Sequence, residues 1–133
     1  MTNSPPFRTS ADLIKKALGK LGALAAGQSI EVEDYQTISD SLDSIFRLLS
    51  SLEIVYVADG DNIPPEWFLP LADIVAGECA TDFSVTNDDY VKLKNQGLGG
   101  VAGVPIGAGT SAMALKIIQR GKPTYEILQT ENF

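Results

Sequence analysis

Between Tyr35 and Leu52 the apolar residues Tyr35, Ile38, Leu42, Ile45, Phe46, Leu49 and Leu52 recur at the spacing of one helix face. The pattern lasts for about five turns at 3.6 residues per turn. Before and between them lie Glu33, Asp34, Ser39, Asp40, Asp43, Ser44 and Arg47, which suit the solvent side. The acids cluster early, where they complement the positive end of the helix dipole. A stripe this long fixes one helix and demands an apolar partner. The rest of the chain is constrained by where that partner comes from.

The remaining punctuation is helical too. Residues 1–8 are a polar, proline-containing lead-in. Thr9-Ser10-Ala11-Asp12 has the form of a capping box, with Asp12 in place of the usual Glu. Leu13, Ile14, Ala17, Leu18 and Leu21 then keep helical spacing until Gly22. Residues 54–58 are apolar and suit a short strand or an extended segment. Asp59-Gly60-Asp61-Asn62 is a turn that opens like a calcium loop. Ile63 and Pro64 then occupy the places where a ligand and a glycine are needed, so no calcium site is expected.

Pro64-Pro65 opens a third helix carrying Trp67, Phe68, Leu71, Ile74, Val75, Glu78, Cys79 and Phe83. Pro70 either delimits its first turn or kinks it. Ala72, Ala76, Gly77 and Ala80 form a smooth face for close approach of another helix. The stripe of the second helix is expected to pack on Trp67, Phe68, Leu71, Ile74 and Val75. Thr86-Asn87-Asp88-Asp89 caps a fourth helix.

Residues 97–109 hold six glycines in thirteen. Gly97-Leu98-Gly99-Gly100-Val101-Ala102 matches a dinucleotide fingerprint on paper, yet a helix end precedes it rather than a strand. Gly107-Ala108-Gly109-Thr110-Ser111 lacks the phosphate-loop lysine. A flexible or ligand-free connecting loop is expected. A fifth helix over 110–120 would place Met113, Ala114, Ile117 and Ile118 on one face and Lys116 and Arg120 on another. Gly121 stops it, and 122–133 is expected to be an extended arm that docks on a neighbour or, alternatively, folds back as a strand beside residues 54–57. The expected fold is mainly α: a small bundle of four to five helices with a glycine-rich loop and an extended C-terminal arm. Its expected division is a lead-in (1–8), a bundle domain (9–96), the loop (97–109) and a short helix with the arm (110–133).

Chemistry is sparse. The chain has no histidine, which removes the commonest general base and zinc ligand. It has one cysteine, so no intrachain disulfide can form and a reducing compartment fits. Cys79 falls on the apolar side of a helix and is expected to be inert core. Glu78 and Asp82 could form one edge of a metal site, but no third ligand suggests itself. No catalytic residue, metal or cofactor is expected, and no run approaches the ~18 apolar residues of a membrane span. Charge is segregated: +3 over 1–30, −13 over 31–89 and +3 over 90–133, giving −7. Either the acids merely solvate two helices, or basic ends pair with an acidic waist between subunits. This is a poor footprint for wrapping DNA.

The order of elements carries a resemblance. Ser10-Ala-Asp-Leu-Ile-Lys-Lys-Ala-Leu-Gly-Lys-Leu-Gly22 is followed by an acidic helix with Asp40-Ser-Leu-Asp-Ser-Ile-Phe-Arg-Leu-Leu49, then a small-residue helix ending Ala80-Thr-Asp-Phe-Ser84. Over 9–94 this resembles the head-to-tail connector proteins of tailed bacteriophages, the adaptors or head-completion proteins below the portal. The segment from Arg120 to Gln129 is similar to their basic, proline-bearing C-terminal arms. The resemblance implies a dodecameric ring of helical bundles in the virion neck, made in the host cytoplasm. The ring would meet the portal on one side and tail, stopper or nozzle proteins on the other. DNA would pass through its lumen without specific binding. Arg120, Lys122, Pro123, Tyr125, Ile127, Leu128 and Phe133 would dock on a neighbour or the portal. A generic helical protein–protein interaction module and a small enzyme are the alternatives.

Overall fold

In the computed structural model, residues 7–24 and 27–120 are described. Among them are five α-helices and no strand: α1 (Ser10–Lys20), α2 (Val32–Ser51), α3 (Pro65–Cys79), α4 (Asn87–Gln96) and α5 (Thr110–Arg120). A short 3-10 turn, Ala80–Asp82, comes after α3. The mainly helical bundle is as expected. No helix among the described residues is long and apolar enough to cross a membrane.

Local chemistry sets the boundaries. At α1, the Asp12 N–H donates to Thr9 Oγ1 and the Thr9 N–H donates to Asp12 Oδ2, each at 3.2 Å, completing the capping box. Past its end, Gly22 takes φ +76°, a left-handed conformation that glycine adopts without strain. Thr86 Oγ1 accepts the Asp89 N–H at 3.1 Å and starts α4. Pro65 takes the first position of α3, where a missing N–H removes no helical bond. Pro70 lies inside α3, yet the helix runs on unbroken to Cys79.

α3 is the centre of the bundle. It packs against α1, α2, α4 and α5, while α1 meets α2 and α4 meets α5. The expected stripe-on-helix pairing is therefore only one of the four contacts that α3 makes with the other helices. Ile38, Leu42, Ile45 and Leu49 of α2 are buried, whereas Tyr35 and Phe46 are only partly so. Trp67, Phe68, Leu71, Ile74 and Val75 are buried as expected, together with Ala72, Ala76, Gly77 and Cys79. From Leu71 to Cys79 only Asp73 and Glu78 are not buried, as suits a helix in the middle of a bundle. The smooth face is used: a Cβ on Gly77 would lie 2.8 Å from the carbonyl oxygen of Leu93, so the α4 backbone rests directly on it.

The glycine-rich segment is not the flexible tether expected. Leu98 is fully buried, and its carbonyl accepts the N–H groups of Gly107 (2.8 Å) and Gly109 (3.1 Å). Gly99 N–H donates to Lys94 O at 2.7 Å, and Ala112 N–H donates to Gly97 O at 3.1 Å. The glycines let the loop cross its own path at backbone contact and return α5 to α3. As a result, Ala112 and Leu115 join the same core, and the bundle continues to 120 rather than stopping at 96. The face of α5 is also corrected. Ser111, Ala112 and Leu115 are buried, while Met113 is exposed and Ile117 is 60% exposed.

Candidate functional site

Two charged surfaces remain after the internal pairs are made. The first is a groove of about 830 Å³ beside α1. The helix spacing of Leu13, Ile14, Ala17 and Leu18 turns that face inward, so Lys15, Lys16, Gly19 and Lys20 lie outward along the groove. Pro65, Phe68 and Leu69 from the start of α3, with Leu24, supply apolar lining. Arg8 stands over the Phe68 ring at 4.2 Å and its Nε is 3.6 Å from Asp12 Oδ2. Lys20 Nζ is 2.7 Å from Asp73 Oδ1, and Ser111 Oγ donates to Asp73 Oδ2 at 2.8 Å. Asp73 thereby ties α1, α3 and α5 together and takes one lysine out of play. Among the described residues, Lys15 and Lys16 have no ion-pair partner.

The second surface is the outer side of α2. Glu31, Glu33, Asp40 and Asp43 are exposed there, with Asp34 half-buried. Arg47 offsets only Asp43, at 2.9 Å. Val32, between Glu31 and Glu33, is 82% exposed.

The candidates for chemistry are used structurally. Lys94 Nζ meets Glu78 Oε2 at 2.6 Å in a largely buried pair that clamps α4 to α3. Glu78 is thus engaged, Asp82 is exposed, and no group of metal-ligating side chains assembles among the described residues. Cys79 is buried. Burial pushes its thiol up to about 11, the nearby charges of Asp82 and Glu78 add to the rise, and a hydrogen bond with Ser41 opposes it. A thiol held neutral in this way is a poor nucleophile.

No protein-family model matches this chain, and neither the curated proteins nor the solved structures compared with it give a match.

Of the expected docking residues, Arg120 is exposed at the end of α5. Lys122, Pro123, Tyr125, Ile127, Leu128 and Phe133 lie outside the described residues. Sequence reasoning counted the basic N-terminal block but missed the groove. Its signal was the pair Lys16 and Lys20, four apart on the face opposite the buried stripe. The apolar lining comes from α3, more than forty positions away in the sequence, and no local pattern announces it.

Proposed function

We propose that the protein is a structural adaptor that forms a ring below the portal of a tailed phage and continues the DNA channel between head and tail. The observation that carries this reading is the segregation of leftover charge onto two surfaces: the groove with Lys15 and Lys16, and the α2 face with Glu31, Glu33, Asp34 and Asp40. A chain with one basic and one acidic surface can contact a copy of itself head to tail, and such a contact closes into a ring when its rotation allows. The helical order over 9–94 and its likeness to connector proteins add the portal as the partner. Exposed ion pairs contribute only ~0–1 kcal/mol each, so many copies held on a symmetric template are needed for firm assembly.

Mixing the protein with purified portal rings and imaging them by negative stain tests the reading. Extra ring density on one end of the portal is expected; bare portals at saturating protein would sink it. The apolar lining of the groove favours a second reading, a module that captures an acidic peptide. That reading expects binding of such a peptide by the protein alone, with no portal requirement.

A further inference from the structure

The segment after α2 has the alternation of a β-strand with no strand beside it among the described residues. Val55 is buried, Tyr56 is 69% exposed, Val57 is half-buried and Ala58 is exposed. Before it, the Ile54 N–H closes on Leu49 O; after it, Asn62 N–H donates to Asp59 O. Between these, among the described residues, no backbone group of Val55, Tyr56, Val57 or Ala58 makes a protein hydrogen bond. Such a run is an open edge, ready to pair with another extended chain. An open groove of about 740 Å³ lies along it, lined by Phe46, Ser50, Tyr56, Val57 and Ala58. On a second side, a cleft of about 270 Å³ is shared by Glu53, Ile54, Val55, Tyr56 and Gln119.

Gln119 is in the last turn of α5, so the described residues end beside this edge. The sequence continues as Gly121-Lys122-Pro123, unsuited to further helix, and then Thr124-Tyr125-Glu126-Ile127-Leu128-Gln129. That stretch is rich in β-forming residues and has no glycine or proline. An extended chain advances ~3.3 Å per residue, so six residues span roughly 20 Å and more than cover a four-residue edge.

We propose that residues 124–129 pair as a β-strand with residues 55–58 of the same chain and close this edge. Sequence pattern alone favours a neighbour or the portal and leaves open a fold back of the arm onto residues 54–57. The end of α5 beside an edge that is unpaired among the described residues favours its own chain. This inference stands whether or not the protein forms a ring.

Amide hydrogen exchange on the full-length protein tests it. Two alternate amides among residues 55–58 should be slowed by about tenfold or more relative to their neighbours, since only every second N–H of a strand faces its partner. Tyr125→Pro and Leu128→Pro occupy positions of opposite parity, so at least one removes a ladder donor. The protection should fall in that variant while the amides of α3 stay protected. The slowing should also be unchanged across a roughly hundredfold range of protein concentration, as an intramolecular contact requires. Unprotected amides in the full-length protein, or protection that survives both substitutions, would overturn the proposal. Protection that grows with concentration would overturn it in favour of an arm supplied by a second copy.

Discussion

At the scale of single residues, two buried positions make opposite demands on solvent and space. Cys79 keeps its proton in the folded protein up to about pH 11, whereas the unfolded thiol releases it near 9.0. Above pH 9 the unfolded state therefore binds fewer protons, and stability must fall as pH rises. The contribution is whole below pH 9 and is lost as pH climbs through 11. At full extent it is about 2–3 kcal/mol. Urea unfolding of wild type and Cys79→Ala between neutral pH and pH 11 should show the wild type losing stability more steeply. Parallel curves would mean that the thiol is not desolvated. The glycines give a second test. Gly77 carries α4 on its bare Cα, with the Leu93 carbonyl 2.8 Å from where a Cβ would be. Gly19, also helical, has nothing within 4 Å of that point. Gly19→Ala should raise stability by roughly 0.5–1 kcal/mol through helix propensity alone. Gly77→Ala gains the same propensity but forces backbone apart, a cost of about 1–3 kcal/mol, so its urea midpoint should fall.

At the scale of elements, α3 decides the fold, and the sequence revealed only part of that. The capping box of α1, the stripe of α2, the proline start of α3 and the small-residue face that receives α4 were all legible, because each is written in adjacent residues. The face of α5 was not. Met113 with Ile117 and Ala112 with Leu115 are both apolar pairs at helical spacing, so periodicity offers two faces. The choice is made by the loop, whose Gly97 carbonyl takes the Ala112 N–H and fixes the rotation of the helix. The basic groove was hidden for a similar reason, since most of its apolar lining comes from the start of α3, more than forty positions on from α1. The central place of α3 also orders the consequences of truncation. Leu71 is wholly buried in α3, which packs on the other four helices, whereas Leu42 lies on α2, whose main contacts among the described residues are with α1 and α3. Leu71→Ala should cost about 2–5 kcal/mol, and Leu42→Ala less, because α2 can settle onto the gap more easily. Equal losses in denaturant unfolding would remove α3 from its central role.

At the scale of the whole molecule, internal pairing uses Lys20 and Lys94 to hold helices together and leaves Lys15 and Lys16 exposed. Lys20 and Lys94 are bound to Asp73 and Glu78 and stabilise the fold. Lys15 and Lys16 are exposed on the groove rim and contribute little to it. Replacing both with glutamate should therefore leave the melting temperature within a few degrees of wild type, since surface substitutions of this kind change stability by about ±0.5 kcal/mol. If the proposed head-to-tail contact is right, the same change places negative charge opposite the acidic α2 face of the next copy. If the ring reading is right, the free wild-type protein sediments as a monomer or weak oligomer at moderate salt, where screening acts beyond ~10 Å. On the portal it fills a ring, and Lys15→Glu with Lys16→Glu should sharply lower that occupancy. Lys15→Arg with Lys16→Arg keeps the charge and should restore it. A stable closed ring of free protein would show that the template is not needed. Undiminished occupancy by the glutamate variant would show that the groove is not the contact between neighbours.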